Sequence, residues 1–188
     1  MRVITGSARG RKLLAPEGLD TRPTTDLVKE AICSAIQFDL PCARVLDLFA
    51  GSGQLAIEAL SRGAAHATLV ESNRKAFQVI QQNITACGFS DRAQLLCTDA
   101  QAFLLRCRET FDIAFLDPPY GKNILPEILP MLIPHMQKNG ILVCEHEPDL
   151  KMPAKIANFD LKKQKKYGKI FVTIYFGEEA SEADPESV

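Results

Sequence analysis

The sequence lacks any run of 18 uncharged apolar residues, which excludes a membrane-spanning helix. Met1 to Arg11 lacks the apolar stretch of a secretory signal, so a cytoplasmic location is expected. The six cysteines contain no CxxC pair, and His66, His135 and His146 pair with none of them, so no metal site is expected. In a reducing compartment a disulfide framework is not expected either. Cys33, Cys42, Cys87, Cys97, Cys107 and Cys144 read as reduced thiols serving as small core hydrophobes. Net charge is nearly absent too: 22 basic residues against 23 acidic give −1. At first sight that argues against a nucleic-acid partner, because phosphates call for a basic surface. The sum hides unlike parts. Residues 177–188 hold five acids and no base and read as a disordered tail, which leaves +4 on residues 1–176. What is present, 188 residues that are 46% hydrophobic, suffices for one domain with its own core.

Residues 1–40 differ in pattern from the rest of the chain. Short strand-like runs at Met1–Thr5 and Arg11–Ala15 flank Gly6-Ser7-Ala8-Arg9-Gly10 and predict a β-hairpin. Its charges are Arg2, Arg9, Arg11 and Lys12. Arg22-Pro23-Thr24-Thr25-Asp26 then leads into a helix, with threonine and aspartate oxygens available as caps. Leu27, Val28, Ala31, Ile32, Ala35 and Ile36 share one face of that helix, with Lys29, Glu30, Ser34 and Gln37 opposite. From residue 43 strands and helices alternate. Strands are expected at 45–49, 67–71, 93–97, 111–116 and 140–145, with helices at 54–61, 74–87, 100–106 and 126–136. Nearly all-apolar strands in such alternation mean a parallel sheet covered on both faces. Residues 159–166 and 170–176, joined at Tyr167-Gly168, predict an antiparallel hairpin added to that sheet.

Three strand ends carry chemistry. Asp47-Leu48-Phe49-Ala50-Gly51-Ser52-Gly53 stands at a strand-to-helix turn, where glycines let a ligand approach the backbone and a helix offers unpaired N–H groups. A structural tight turn is the plain alternative. Gly51-x-Gly53-x-x-Ala56 also fits a dinucleotide fingerprint, so the loop does not separate an NAD site from an S-adenosylmethionine site. Either ligand needs an acid after the next strand to accept from ribose hydroxyls, and Glu71, followed by Ser72, stands there. Asp99, followed by Ala100, ends the third strand. It can accept from an adenine amino group or merely cap the next helix. Asp47 lies among hydrophobics, where a carboxylate needs a partner. The glycine-loop N–H groups or, through water, an amino group would serve.

The fourth strand ends in Asp117-Pro118-Pro119-Tyr120. An exocyclic amino group on a base is a poor nucleophile, because its lone pair is delocalised into the ring. The Asp117 carboxylate and the Pro118 carbonyl can accept its two hydrogens and stabilise the positive charge that develops on methylation. Prolines 118 and 119 fix φ and preorganise these acceptors. Tyr120 offers a flat face to an extruded base. A Pro-Pro turn leaving a strand is the plain alternative. A dehydrogenase would use the glycine loop and Glu71 but leave this tetrapeptide idle. An RNA-binding assembly factor without activity would have no need of amino-group acceptors.

Together DLFAGSG, Glu71, Asp99 and DPPY resemble class I S-adenosylmethionine-dependent amino-methyltransferases. The segments ITGSARGRKL (4–13), RPTTD (22–26), Lys29-Glu30 and LAIEALSRGA (55–64) resemble the RsmD family of 16S rRNA guanine-N2 methyltransferases, over residues 1–176. The resemblance implies a Rossmann-like α/β fold: a mostly parallel seven-stranded sheet with a C-terminal antiparallel hairpin, plus a small N-terminal β-hairpin and helix. It implies an RNA-binding appendage at 1–40, a methyltransferase domain at 41–176 and the tail at 177–188. S-adenosyl-L-methionine would be held by Asp47, Phe49, Ala50, Gly51, Gly53, Glu71, Ser72, Asp99 and Ala100. Asp117, Pro118, Pro119 and Tyr120 would hold the guanine, at the family's usual position 966. Arg9, Arg11, Lys12, Arg22 and Thr24 would grip RNA. The partner implied is 16S rRNA in the 30S subunit or its assembly intermediates, met by a monomer. DNA adenine-N6 and cytosine-N4 methyltransferases share DPPY, but 188 residues leave little room for their target-recognition domain.

Overall fold

A computed structural model describes residues 1–16, 25–121 and 123–178. Arg22 and Thr24, and the expected tail from 179 onward, lie outside the described residues. The chain runs α1 (Asp26–Ala35), β1 (Arg44–Asp47), α2 (Gln54–Ser61), β2 (His66–Val70), α3 (Arg74–Cys87), β3 (Ala93–Leu96), α4 (Ala100–Arg106), β4 (Phe111–Leu116), α5 (Ile124–Leu132), β5 (Met136–His146), β6 (Lys155–Ile156), β7 (Phe159–Tyr167) and β8 (Ile170–Gly177).

The strands form one sheet in the order β3-β2-β1-β4-β5-β8-β7-β6, parallel through β5 and antiparallel beyond it. The seven expected strands are present, and the two-residue β6 adds an eighth at the edge. β5 begins at Met136, four residues earlier than the sequence pattern places it, because α5 stops at Leu132 and passes through a short 3-10 turn. Gly177 closes β8, and the Glu178 amide donates to Asn158 O at 3.0 Å. The first two residues assigned to the tail therefore belong to the hairpin.

Side chains alternate across each strand. One face carries Val45, Ile113, Phe115, Val143, Val172 and Ile174 and packs with apolar residues of α1, α2 and α3. The other carries Leu46, Ala114, Leu116, Leu142, Cys144 and Tyr175 and packs with α4 and α5. Burial of each large side chain contributes about 1.5–3 kcal/mol. Of the six thiols, only Cys33 and Cys144 are fully in these cores; Cys42 and Cys97 are exposed. β1 has its two neighbours on opposite sides: β2 follows it in the chain, and β4 arrives after α4. At that reversal a crevice opens beyond the strands' carboxyl ends.

The N-terminal segment forms less regular structure than its residues suggest. A single antiparallel bridge, Arg2 to Lys12, replaces the expected paired strands. Its backbone is instead bound to α2. The Glu58 carboxylate accepts from Ile4 N (2.8 Å) and Thr5 N (3.0 Å), Ser61 Oγ donates to Thr5 O (2.6 Å), and Ser7 N donates to Ser61 O (2.8 Å). Gly6 passes so close, at φ +89°, that a Cβ would lie 1.8 Å from Ser61 O. This docking also reverses the expected faces of α1. Lys29 is fully buried, donating to Arg2 O at 2.5 Å and facing Asp26 and Glu58, whereas Leu27 is 69% exposed. A charge with three oxygen partners is tolerated inside where an unpaired one is not.

Candidate active site

The crevice is a cavity of about 570 Å³, within the size range of small-ligand sites. Asp47, Phe49, Ala50, Gly51, Glu71, Ser72, Asp99 and Ala100 line it, and so do Asp117 and Pro119. Of the expected cofactor residues only Gly53 stands behind the wall. It caps α2 at φ +75°, where a Cβ would meet Ile80 at 3.0 Å and Leu69 at 3.3 Å. A left-handed turn closed against two core side chains calls for glycine there.

Glu71 fixes the glycine loop: its carboxylate accepts from Gly51 N at 2.8 Å and from Asn73 N at 2.7 Å. One direction per oxygen remains for a ligand. Asp99 caps α4, accepting from Ala102 N at 2.8 Å, while also lining the cavity, so its two readings are compatible. Asp47 is 2% exposed. Burial pushes its carboxyl up to about 7; the N–H groups of Ala56 and Phe49 oppose that shift and the charge of Glu71 adds to it.

Several lining groups carry no sequence signal. Met1, Ala15 and Pro16 bring the N-terminal segment into the wall. Asn83, buried within α3, holds that segment: it accepts from Leu14 N at 2.8 Å and donates to Leu14 O and Ser52 O, each at 3.0 Å. Gln54 opens α2 facing the cavity, and its buried Oε1 has no hydrogen-bond partner among the described residues. An acceptor buried without a donor fits a site whose donor arrives with a ligand.

Pro118 and Tyr120 line a small adjoining cleft that shares Pro119 and Ile124 with the main cavity. Its far wall is the end of β5, which carries no motif in the sequence. Tyr120 OH donates to the buried Glu145 carboxylate at 3.2 Å, and Gly121 N donates to Glu147 at 3.1 Å. Burial and the charges of Asp117 and Glu145 push the phenol's pKa upward, so it stays a neutral donor. By strand alternation and register, Asp47, Asp117 and Glu145 occupy the same face of three adjacent strands.

The basic residues fall elsewhere. The turn bearing Arg9 is bound to Ser61, at the opposite end of α2 from Gln54. Eight helical residues separate the two by about 12 Å. Arg9, Arg11 and Lys12 are exposed there, outside the cavity wall. Among the described residues no cluster could hold a metal ion, and no helix is long and apolar enough to cross a membrane.

This sheet order, with a ligand cavity at the β1–β4 reversal and DPPY at its rim, defines the Rossmann-like class I methyltransferase fold. The family model described as conserved hypothetical protein 95 matches residues 1–176. Ribosomal RNA small subunit methyltransferase D of Escherichia coli K12 is 34% identical over 188 residues, covering 99% of this chain and 94% of that protein. YlbH of Bacillus subtilis is 40% identical over 180 residues, covering 93% and 98%. The chain belongs to this family of methyltransferases, the RsmD family. Among solved structures, yhhF from Escherichia coli superposes with a TM-score of 0.86 at 35% identity, covering 95% of this chain and 98% of that one. SMU.776, a structure complexed with SAH, shares the fold at a TM-score of 0.66 and 14% identity, covering 77% of this chain and 49% of that one.

Proposed function

We propose that the protein transfers a methyl group from S-adenosyl-L-methionine to the exocyclic N2 of a guanine, position 966, in 16S rRNA of the small ribosomal subunit. The observation that carries this reading is that Asp117 and Pro119 open onto the same cavity as Asp47, Gly51, Glu71 and Asp99. Amino-group acceptors and a nucleoside-sized site therefore meet without an intervening wall. The name of the Escherichia coli relative supports rRNA as the substrate class.

When bound, S-adenosylmethionine supplies an electrophilic methyl on a positively charged sulfur. Glu71 would accept from ribose hydroxyls, Asp99 from the adenine amino group, and Asp47 and Gln54 would face the methionine end. Asp117 and the Pro118 carbonyl would take the two N2 hydrogens, and Tyr120 would stack on the base. In-line transfer then rests on proximity and fixed acceptors. In this reading residues 41–176 are the transferase domain and 1–40 an RNA-binding part. Arg9, Arg11 and Lys12 would meet RNA away from the target base.

Asp47 gives a pH signature. Its folded carboxyl, near 7, keeps a proton that the unfolded chain releases near 3.8, so its contribution to stability is lost as pH rises from about 4 to 7. A cationic cofactor favours the ionised form, so affinity moves the other way. S-adenosylmethionine should bind up to about tenfold more weakly per pH unit below 7 and level off above it. Titration calorimetry between pH 5.5 and 8 reads this; Asp47→Asn should flatten the profile, and a flat wild-type profile would refute the assignment.

The function itself is tested with labelled S-adenosylmethionine and unmethylated 30S particles, followed by mass spectrometry of digested RNA. N2-methylguanosine is expected. Label in duplex-DNA adenine instead, or no transfer by protein that binds the cofactor, would overturn the reading.

A further inference from the structure

We propose that one face of the β7–β8 hairpin, carrying Lys163, Lys165 and Tyr167, is the docking surface for the single-stranded RNA that flanks the target base. The inference rests on the reading above and extends it from the base to its neighbours.

The sheet fixes which side chains stand together. Glu145 on β5 is in register with Val172 on β8, and Val172 with Lys165 on β7. Two strand spacings separate Lys165 from Glu145, about 10 Å. Lys163 pairs with Ile174 and so shares this face. Tyr167 and Ile170, half-buried, pack on the same cluster as Phe115 and Val143, which places them on the same side. The hairpin turn at 168–169 also rises at the carboxyl end of β5, the end where Asp117 and Tyr120 lie.

Charge changes sign along this line. Asp117 and Glu145 surround the place of the amino group and repel phosphate. Lys163 and Lys165, exposed and with no ion pair among the described residues, stand where the flanking phosphates must go. The Lys165 ammonium sits 5.3 Å over the Tyr167 ring, so a cation and an aromatic face occur as a unit. Phosphate contact plus base stacking is the usual recipe for binding single strands.

The competing account is that lysines protect the free edge of β7 from strand pairing. Position on the sheet separates the two. Lys162 is already paired with Glu178 at 2.7 Å. Lys166, opposite Phe171, points to the other face, where Gln164, Thr173 and His146 are hydrogen-bonded to one another. Edge protection makes no distinction between Lys165 and Lys166, whereas RNA docking does.

The test compares Lys163→Ala/Lys165→Ala with Lys166→Ala in the full chain. The readouts are KM and kcat on unmethylated 30S particles and the salt dependence of binding a single-stranded RNA oligonucleotide with a central guanosine. The double variant should raise KM about tenfold or more and leave kcat at saturation and S-adenosylmethionine affinity unchanged. It should also flatten the salt slope by roughly 0.7 for each phosphate that is no longer neutralised. Lys166→Ala should behave as wild type. Equal effects from both variants would make the charges mere edge protection and overturn the proposal. So would a KM change on particles with no change in oligonucleotide binding, which would indicate a protein partner. A wild-type chain that methylates no RNA would instead overturn the function; a methylating chain with an unaltered double variant overturns only this surface.

Discussion

Asp117→Ala is expected to reduce methyl transfer to 30S particles by about 10²–10³-fold or more, the usual cost of removing one preorganised partner of a developing charge. Asp117 ends β4 at the rim of the cavity, on the same sheet face as Asp47 and Glu145. Its carboxylate is the charged member of the acceptor pair; the Pro118 carbonyl persists in the variant. The residues assigned to the ribose and adenine, Glu71 and Asp99, are held by their own backbone partners and do not depend on Asp117. Affinity for S-adenosylmethionine should therefore stay within about threefold, so the defect should appear in single-turnover transfer and not in cofactor titration. Unaltered transfer would remove Asp117 from the chemistry. Equal loss of transfer and cofactor binding would make it a binding residue.

The largest stability effect is expected at Glu58. Its buried carboxylate accepts from Ile4 N, Thr5 N and Arg62 Nε (2.9 Å), and Lys29 Nζ lies 3.9 Å away. Glu58→Ala leaves two amides without acceptors and the fully buried Lys29 with one anion fewer. Removing one member of a buried charge cluster costs about 3–5 kcal/mol. For a chain of this size that is on the order of 10 °C in Tm, measurable by calorimetry. Glu58→Gln should recover part of the loss, because the amide oxygen still accepts although the charge is gone. A shift of about 2 °C or less for Glu58→Ala would show that the N-terminal segment is held by other contacts.

These two residues are legible in the sequence to different degrees. Asp117 announces itself, because DPPY follows an apolar strand and the strand's end is where an α/β fold places ligands. Glu58 lies within LAIEALSRGA, which is informative as a string but gives no hint that residue 58 binds the backbone of residues 4 and 5. Local signals hold where the cause is local. Asn73 and Asp99 cap the helices that follow them, and Gly88 ends α3 in a left-handed conformation. Signals fail where a distant partner decides. Helical periodicity puts Lys29 in water and Leu27 in the core, and the Arg2 carbonyl and the Asp26 and Glu58 carboxylates reverse both. The basic N-terminal residues read as a grip beside the site, yet Ser61 ties their turn to the far end of α2.

The near-neutral net charge divides in the same way. Composition and pattern determined a parallel α/β sheet, its strand ends and the residue types offered there, because apolar runs, caps and glycine turns act within a few residues of themselves. The tertiary structure decided which of those groups face one cavity and which lysines share its sheet face. It also turned Gln54, Glu145, Asn83 and the first residues of the chain toward the site. Those are consequences of sheet order and register, which pair residues as far apart as Glu145, Val172 and Lys165, and no local signal carries such a pairing.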